Sequence, residues 1–161
     1  MVERIKSSKL ALEILFGNIK DNFQDFYITV DKERVLLNNL IALKKYAKMM
    51  KRGEVCFREG SKGFLITYGI HDKSPRKYIK ILFDDVNIAK KLLRSFLYEY
   101  GNKEFFIKVK RTNPLGRIAQ SLGFIFLGGR GTEILLMRKA EKIFRYSNRD
   151  KDEDYDNPRQ Y

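Results

Sequence analysis

Residues 77–110 decide the fold, and they read KYIKILF, DDVNIAKKLLRSFLYEY, GNKE and FFIKVK in turn. The first and last segments are short and rich in β-branched and aromatic residues, which predicts strands over Lys77–Phe83 and Phe105–Lys110. Between them the apolar residues follow helical spacing, and Asp84 or Asp85 can cap the helix. The stretch therefore predicts a strand–helix–strand unit whose helix begins at the carboxyl edge of a sheet, where anions bind.

Two further predicted strands precede this unit. Val55–Glu59 and Phe64–Ile70 are separated by the turn residues Gly60–Gly63, and a second turn at His71–Pro75 leads into the strand at Lys77. Three strands joined by short turns predict an antiparallel meander.

The segments after residue 110 predict a short helix and a closing hairpin. Pro114 lies near the start of the helix, where proline is favoured, and Gly123 ends it. Strands are predicted over Phe124–Leu127 and Glu133–Met137, with Gly128–Gly131 as the turn between them.

Upstream of the meander, the pattern predicts a helix from Ser8 to about Asn22, a strand over Asp25–Val30 and a long helix over Lys32–Lys51 capped by Asp31. Residues 1–139 are interpreted as one domain, with residues 1–23 as an N-terminal helical extension. Residues 140–161 are polar and acidic, which predicts a disordered tail.

This order of elements resembles the GNAT acetyltransferase family over roughly residues 24–139. A local signature supports it, because Asn113 ends a strand and a short helix then leads to Ser121-Leu122-Gly123-Phe124. The resemblance implies an α/β fold with a mixed, mostly antiparallel sheet and one splayed pair of parallel strands. It also implies N-acyltransfer, in which an amine attacks the acyl carbonyl of an acyl-CoA and the thiolate leaves.

The resemblance further implies that acetyl-CoA or another acyl-CoA lies between the strands 77–83 and 104–110. The residues that would contact this cofactor are Leu82, Phe83, Asn87, Ile88, Ala89 and Asn113. The family's phosphate loop is rewritten here: Asp84 stands at its Arg/Gln position, Asn87 and Ala89 stand at its glycine positions, and only Ala89 fits. Asp84 and Asp85 would compete with a pyrophosphate for the helix N–H groups.

Candidate catalytic residues are Tyr78, Glu59 and Ser121. Ala119 occupies the position where many family members carry a tyrosine that protonates the thiolate, so Tyr78 and Ser121 are the substitute hydroxyls and Glu59 the candidate base. His71 is interpreted as an exposed turn residue and Cys56 as a buried strand residue.

The charge points to an anionic ligand. Thirty-three Lys and Arg residues against twenty Asp and Glu residues give a formal net charge of +13. Four basic residues that could contact nucleic acid or another anion cluster near the strand that ends at residue 110: Lys108, Lys110, Arg111 and Arg117. The alternative function is therefore a non-catalytic module of this fold that binds nucleic acid or an acidic protein through a basic surface.

Other compositional features limit the function classes. Cys56 is the only cysteine and His71 the only histidine, which excludes an internal disulfide and a zinc site built from protein ligands, so no metal is expected. The sequence has no apolar run long enough to span a membrane. A cytoplasmic monomer or homodimer is expected, and the small Lys-rich chain is similar to some bacteriophage DNA-modification proteins with a GNAT-like core.

Overall fold

The computed structural model describes residues 2–6, 26–30, 33–69 and 76–141. In chain order its strands and helices are β1 Val2–Arg4, β2 Tyr27–Val30, β3 Glu33–Leu36, α1 Leu40–Met50, β4 Cys56–Glu59, β5 Gly63–Gly69, β6 Lys77–Phe83, α2 Val86–Tyr100, β7 Phe105–Lys110, α3 Leu115–Ser121, β8 Ile125–Arg130 and β9 Glu133–Arg138.

Seven of these strands form one mixed sheet in the order β1-β4-β5-β6-β7-β9-β8, and β2 and β3 form a separate two-stranded sheet. Within the seven-stranded sheet β6 and β7 are parallel, and the other neighbouring pairs are antiparallel. This architecture confirms the predicted fold class.

The sheet separates two hydrophobic cores. One core, on the helix face, packs α2 and α3 against residues such as Ile79, Ile81 and Phe83. The other core, on the hairpin face, packs α1 and the β2–β3 hairpin against residues such as Tyr78 and Leu82. Side chains of β6 alternate between the faces because successive residues of a strand point to opposite sides of the sheet.

The long helix predicted over residues 32–51 is confirmed from Leu40 to Met50 and is wrong before Leu40. Val35 lies opposite Ile28 and Leu36 opposite Tyr27 in the β2–β3 hairpin, and α1 begins only at Leu40. Val35 and Leu36 suit a strand as well as a helix, and pairing with β2 decides between the two. The helix cap is Asn39, whose Oδ1 accepts the N–H of Ala42 at 2.9 Å.

The large sheet also contains a strand that the sequence did not predict. Val2–Arg4 pairs with β4, whereas Tyr27–Val30 belongs to the separate hairpin. The chain therefore enters the large sheet at residue 2. The predicted helix at residues 8–22, the turn residues 71–75 and the tail from residue 142 lie outside the described residues, and the division of the chain at residue 139 stays a prediction.

The closing hairpin has a tighter turn than predicted. Gly128 and Gly129 lie within β8, where the register with β9 shifts after Phe126, and the turn is at Gly131 and Thr132. Gly131 has a φ of 60°, a left-handed conformation that glycine adopts without strain.

Two contacts fix the position of α2. A Cβ on Gly63 would lie 2.4 Å from Cγ2 of Ile88, so glycine permits the close approach of the helix to β5. At the other end, the buried Arg138 donates from Nη1 to the carbonyl of Gly101 at 3.2 Å and from Nε to the carbonyl of Leu122 at 3.1 Å. One guanidinium group thus binds the carboxyl ends of both α2 and α3. None of the helices in the described part of the chain is long and apolar enough to cross a membrane.

Candidate functional site

The parallel strands β6 and β7 separate along their length. Their register consists of two pairs, Tyr78 with Phe106 and Ile79 with Ile107. Beyond these pairs the carboxyl-terminal halves, residues 80–83 and 108–110, are no longer paired with each other, and we name the space between them the opening. Because the strands are parallel, α2 and α3 both begin at the edge of the sheet that borders the opening.

A buried lysine lies at the opening. Lys80 follows the last paired residue of β6 and is 2% exposed, and its ammonium donates a hydrogen bond to the carbonyl oxygen of Lys108 on β7. Its Nζ also lies 3.9 Å from the ring centroid of Tyr27, a cation–π contact. The Lys80 side chain therefore connects the two separated strands with the β2–β3 hairpin.

The hairpin contributes an acid–base cluster at the same place. The Tyr27 hydroxyl donates to Oε2 of Glu133, and Nη2 of Arg34 lies 3.4 Å from the same oxygen. The guanidinium carbon of Arg34 is 4.0 Å from the Tyr27 ring centroid. Glu133 is opposite Lys110 in the register of β7 with β9, so the carboxylate lies at the carboxyl end of β7.

Aromatic rings line the hairpin face beside this cluster. The rings of Tyr68 and Tyr78 stack at 5.4 Å, and Tyr78 contacts Phe106 at 5.6 Å. Burial, together with the nearby Tyr27 and other acidic groups, raises the pKa of Tyr68 well above its ordinary value, so that its hydroxyl stays protonated. Arg76 lies 4.8 Å from the Phe106 ring and Lys108 lies 5.7 Å from the Tyr78 ring.

The start of α2 has an occupied cap. Oδ1 of Asp85 accepts the N–H of Asn87 at 2.7 Å, and the Asp85 carbonyl accepts the N–H groups of Ile88 and Ala89. Asp84 and Asp85 are both exposed. Because the N–H group of Asn87 is bonded to Asp85, an anion at this edge of the sheet would contact the cations that follow β7 in its place.

The predicted cofactor-contacting residues lie around the opening, and they pack in different places. Leu82 packs on the hairpin face, Phe83 and Ala89 pack on the helix face, and Ile88 packs against Gly63. Asn113 is buried, and its Oδ1 accepts the N–H of Leu115 at 2.9 Å, which caps α3. Their role in cofactor binding stays a prediction.

The structure does not bring the three predicted catalytic residues together. Tyr78 is buried on the hairpin face beside the opening. Glu59 ends β4, and its Oε2 lies 3.3 Å from Nζ of Lys91 on α2, so its side chain is on the helix face. The Ser121 hydroxyl donates to the carbonyl of Ile118 at 2.6 Å, at the end of α3.

The predicted basic residues divide into two pairs. Lys108 and Lys110 are half-buried and alternate with Ile107 and Val109, which places them on the hairpin face with Lys80. Arg111 and Arg117 are exposed, and Nε of Arg111 donates to the carbonyl of Gly131 at 3.1 Å. All four lie at the carboxyl half of β7 or after it.

The single cysteine of the sequence is unreactive. Cys56 is fully buried, and burial raises the pKa of its thiol well above the ordinary value, so the reactive thiolate is disfavoured. In residues 2–6, 26–30, 33–69 and 76–141 there is no group of three metal-ligating side chains.

The sequence-based predictions missed Lys80, Tyr27, Arg34 and Glu133. Lys80 carried a signal, because it is a lysine in the middle of an apolar strand, Tyr78-Ile79-Lys80-Ile81-Leu82. Tyr27, Arg34 and Glu133 carried none, because their contacts depend on how the hairpin packs on the sheet.

Comparison with solved structures identifies the fold. The acetyltransferase of the GNAT family from Streptococcus pneumoniae superimposes with a TM-score of 0.63 at 10% identity, covering 88% of this chain and 99% of that one. The protein has the GNAT fold. The yncA protein from Salmonella typhimurium, solved with its cofactor acetyl-CoA, has a TM-score of 0.63 at 12% identity, covering 88% of this chain and 94% of that one.

A third similar structure is that of the microcin C7 self-immunity acetyltransferase MccE, solved in complex with acetyl-CoA and AMP. It has a TM-score of 0.54 at 15% identity, covering 86% of this chain and 92% of that one. The sequence matches no protein-family model and no curated protein. At these identities the likeness is one of fold, and the activity has to be argued from the site.

Proposed function

We propose that this protein is a GNAT-type N-acyltransferase that uses acetyl-CoA or another acyl-CoA and transfers the acyl group to an amine. The observation that carries the proposal is the end of the β6–β7 register at Ile79 and Ile107. Two parallel strands whose pairing ends at this point can receive a bound extended arm between them, as they would an added strand.

The side chains around the opening support this proposal. Phe83 packs on the helix face and Tyr78 and Phe106 lie at the paired end of the strands, so the side chain that reaches across the opening is Lys80. A bound acyl-CoA supplies an activated thioester. In the proposed reaction, backbone N–H groups of β6 beyond Ile79 polarise the carbonyl oxygen of this thioester.

Proton transfer falls to the residues nearest the opening. Tyr27 and Glu133 are hydrogen-bonded to each other, and Tyr27 contacts Lys80. We assign to this pair the removal of the amine proton, ahead of Glu59 and Ser121, because those two side chains lie away from the hairpin face, beside Lys91 and the Ile118 carbonyl.

The phosphate end differs from the family pattern in a way that can be measured. With the N–H of Asn87 taken by Asp85, exposed cations after β7, chiefly Arg117 and Arg111, are left to attract the phosphates. Affinity that depends on side-chain cations falls more steeply with salt than affinity from fixed backbone groups.

Calorimetric titration of CoA and acetyl-CoA at low and moderate salt tests the proposal. We expect saturable binding that weakens with salt, weakens about fivefold in Arg117→Gln and strengthens by a similar factor in Asp84→Asn, since one screened charge contributes about 1 kcal/mol. Lys103→Gln removes a charge at the amino-terminal end of β7, far from the opening, and should leave the affinity unchanged. No measurable heat, with thermal stability also unaffected by millimolar ligand, would overturn the proposal.

The Asp85 cap favours a second candidate function, the non-catalytic module. A carboxylate that accepts the Asn87 N–H opposes a pyrophosphate at the start of α2, and Lys108, Lys110 and Arg111 provide a basic surface for a polyanion. This candidate predicts nucleic-acid binding that falls steeply with salt and is lost on replacing those three residues. Binding that persists in the triple variant would reject this surface.

A further inference from the structure

Lys80 is the one buried lysine in the part of the chain that the structure describes. A desolvated ammonium is costly, and a strand position flanked by Ile79 and Ile81 would ordinarily hold an apolar residue. Its hydrogen bond to the Lys108 carbonyl and its contact with Tyr27 offset part of that cost.

The Nζ atom of Lys80 lies between the two separated strands. Strand alternation sends Lys80 to the hairpin face, and the β6–β7 register has ended one residue earlier. Since Nζ reaches the carbonyl of Lys108 on the opposite strand, it lies across the opening between residues 80–83 and 108–110. An amine is thus held at the place where the proposed function puts a thioester.

We infer that Lys80 is itself an acyl acceptor, so that the protein acylates its own Lys80 side chain from a bound acyl-CoA. The inference rests on the proposed function. The Lys80 nitrogen, in its neutral form, forms a bond to the acyl carbon as the carbon–sulfur bond breaks. The proton that the nitrogen loses goes to the departing sulfur, so that an amide and free CoA thiol result.

The product changes the opening. Acylation removes the positive charge beside the Tyr27 ring and replaces the ammonium with a larger neutral amide. The Lys80 side chain then fills more of the space in which the arm of a second acyl-CoA would lie. Acylated protein therefore binds CoA more weakly than unmodified protein, which gives a binding readout separate from the transfer itself.

Mass spectrometry of the full chain after incubation with acetyl-CoA tests the inference. We expect one acetyl group per chain, located on Lys80 by peptide mapping, forming faster as the pH rises because the neutral amine is the reactive form. Lys80→Arg keeps the cation and loses this modification. Lys77→Arg, on the same strand but exposed, keeps it.

Acetic anhydride provides a matched chemical control. It labels exposed lysines such as Lys44 and Lys45 first and the buried Lys80 last, so the order of labelling should invert between the two reagents. Calorimetry with CoA then compares unmodified protein, protein acetylated by acetyl-CoA, and Lys80→Met, which serves if Lys80→Arg does not fold.

The outcomes separate the two proposals. Acetylation of Lys80 by acetyl-CoA, with weakened CoA binding afterwards, supports the inference. CoA binding without modification of Lys80, or modification confined to exposed lysines, overturns it and leaves the proposed function standing. Absence of both CoA binding and modification overturns both.

Discussion

The two faces of strands β6 and β7 carry different kinds of side chains. On the helix face, Ile79, Ile81 and Ile107 pack against Leu92 and Phe96 of α2, and the contacts are purely apolar. On the hairpin face the same strands present aromatic rings together with the ammonium groups of Lys80 and Lys108. Packing accounts for the first face, whereas the second retains buried charge at a cost in stability, which is typical of a functional site.

The largest loss of stability should come from truncating a side chain in the core on the helix face. Leu92→Ala removes a side chain that is fully buried between α2 and the sheet, and we expect a loss of about 2–5 kcal/mol in the free energy of unfolding. Urea denaturation measures it. Tyr98→Ala, on the same helix but 53% exposed, is the control and should cost far less. Equal losses in the two variants would mean that α2 is not held by this core.

Alkaline pH should lower the free energy of unfolding through groups on the hairpin face. Burial raises the pKa values of Cys56, Tyr46 and Tyr68, all on this face, above their unfolded values. The folded state then holds more protons than the unfolded state once the pH passes the unfolded pKa. The free energy of unfolding should therefore fall above about pH 8.5, by at most ~1.4 kcal/mol per pH unit for the cysteine.

Cys56→Ala isolates that part of the pH dependence. Its unfolding curve should be flatter than that of the natural protein between about pH 8.5 and 10, before the tyrosines contribute. A variant with an unchanged slope would show that the thiol is not the group responsible.

A smaller loss of stability should follow from Tyr27→Phe, which tests the hairpin face against the helix face. The substitution removes the hydroxyl that donates to Glu133 but keeps the ring that contacts Lys80 and Arg34. Because Glu133 keeps its ion pair with Arg34, we expect a loss of about 1 kcal/mol by urea denaturation. A loss as large as that of Leu92→Ala would show that the hairpin face is a structural core as well.

The smallest effect is expected for Lys80→Met. Methionine retains the apolar stem and most of the volume, and it removes a desolvated charge, so the free energy of unfolding should change by no more than about 1 kcal/mol. Lys80 and Leu92 are both buried, so thermal and urea unfolding of the two variants can be compared directly. A loss of several kcal/mol would mean that the ammonium is retained for stability.

Most of the large sheet could be predicted from the sequence, because period and turn signals agree along residues 55–138. Lys77–Phe83 and Phe105–Lys110 have the predicted bounds. The prediction fails at Val35 and Leu36, where a helical face and a strand pattern coincide and Asn39, not Asp31, is the cap. It also fails at Val2–Arg4, because a strand of three residues has too little pattern to detect.

The candidate site was predicted only in part. The opening was implied by the resemblance to the GNAT family, and the residues on β6 and β7 could be named in advance. Tyr27 and Glu133 are separated by 106 residues in sequence, and no spacing rule connects them. Lys80 could have been identified from its own strand, since a lysine among four apolar neighbours requires an explanation.

Arg138 also bears on the order in which the molecule is completed. Its guanidinium binds the last carbonyls of α2 and α3, yet it belongs to β9, the final strand of the described chain. On a ribosome both helices are therefore synthesised before the residue that satisfies their ends, and they gain this partner only when β9 inserts between β7 and β8. This last strand of the described chain thus holds together the carboxyl ends of the two helices whose first residues border the opening.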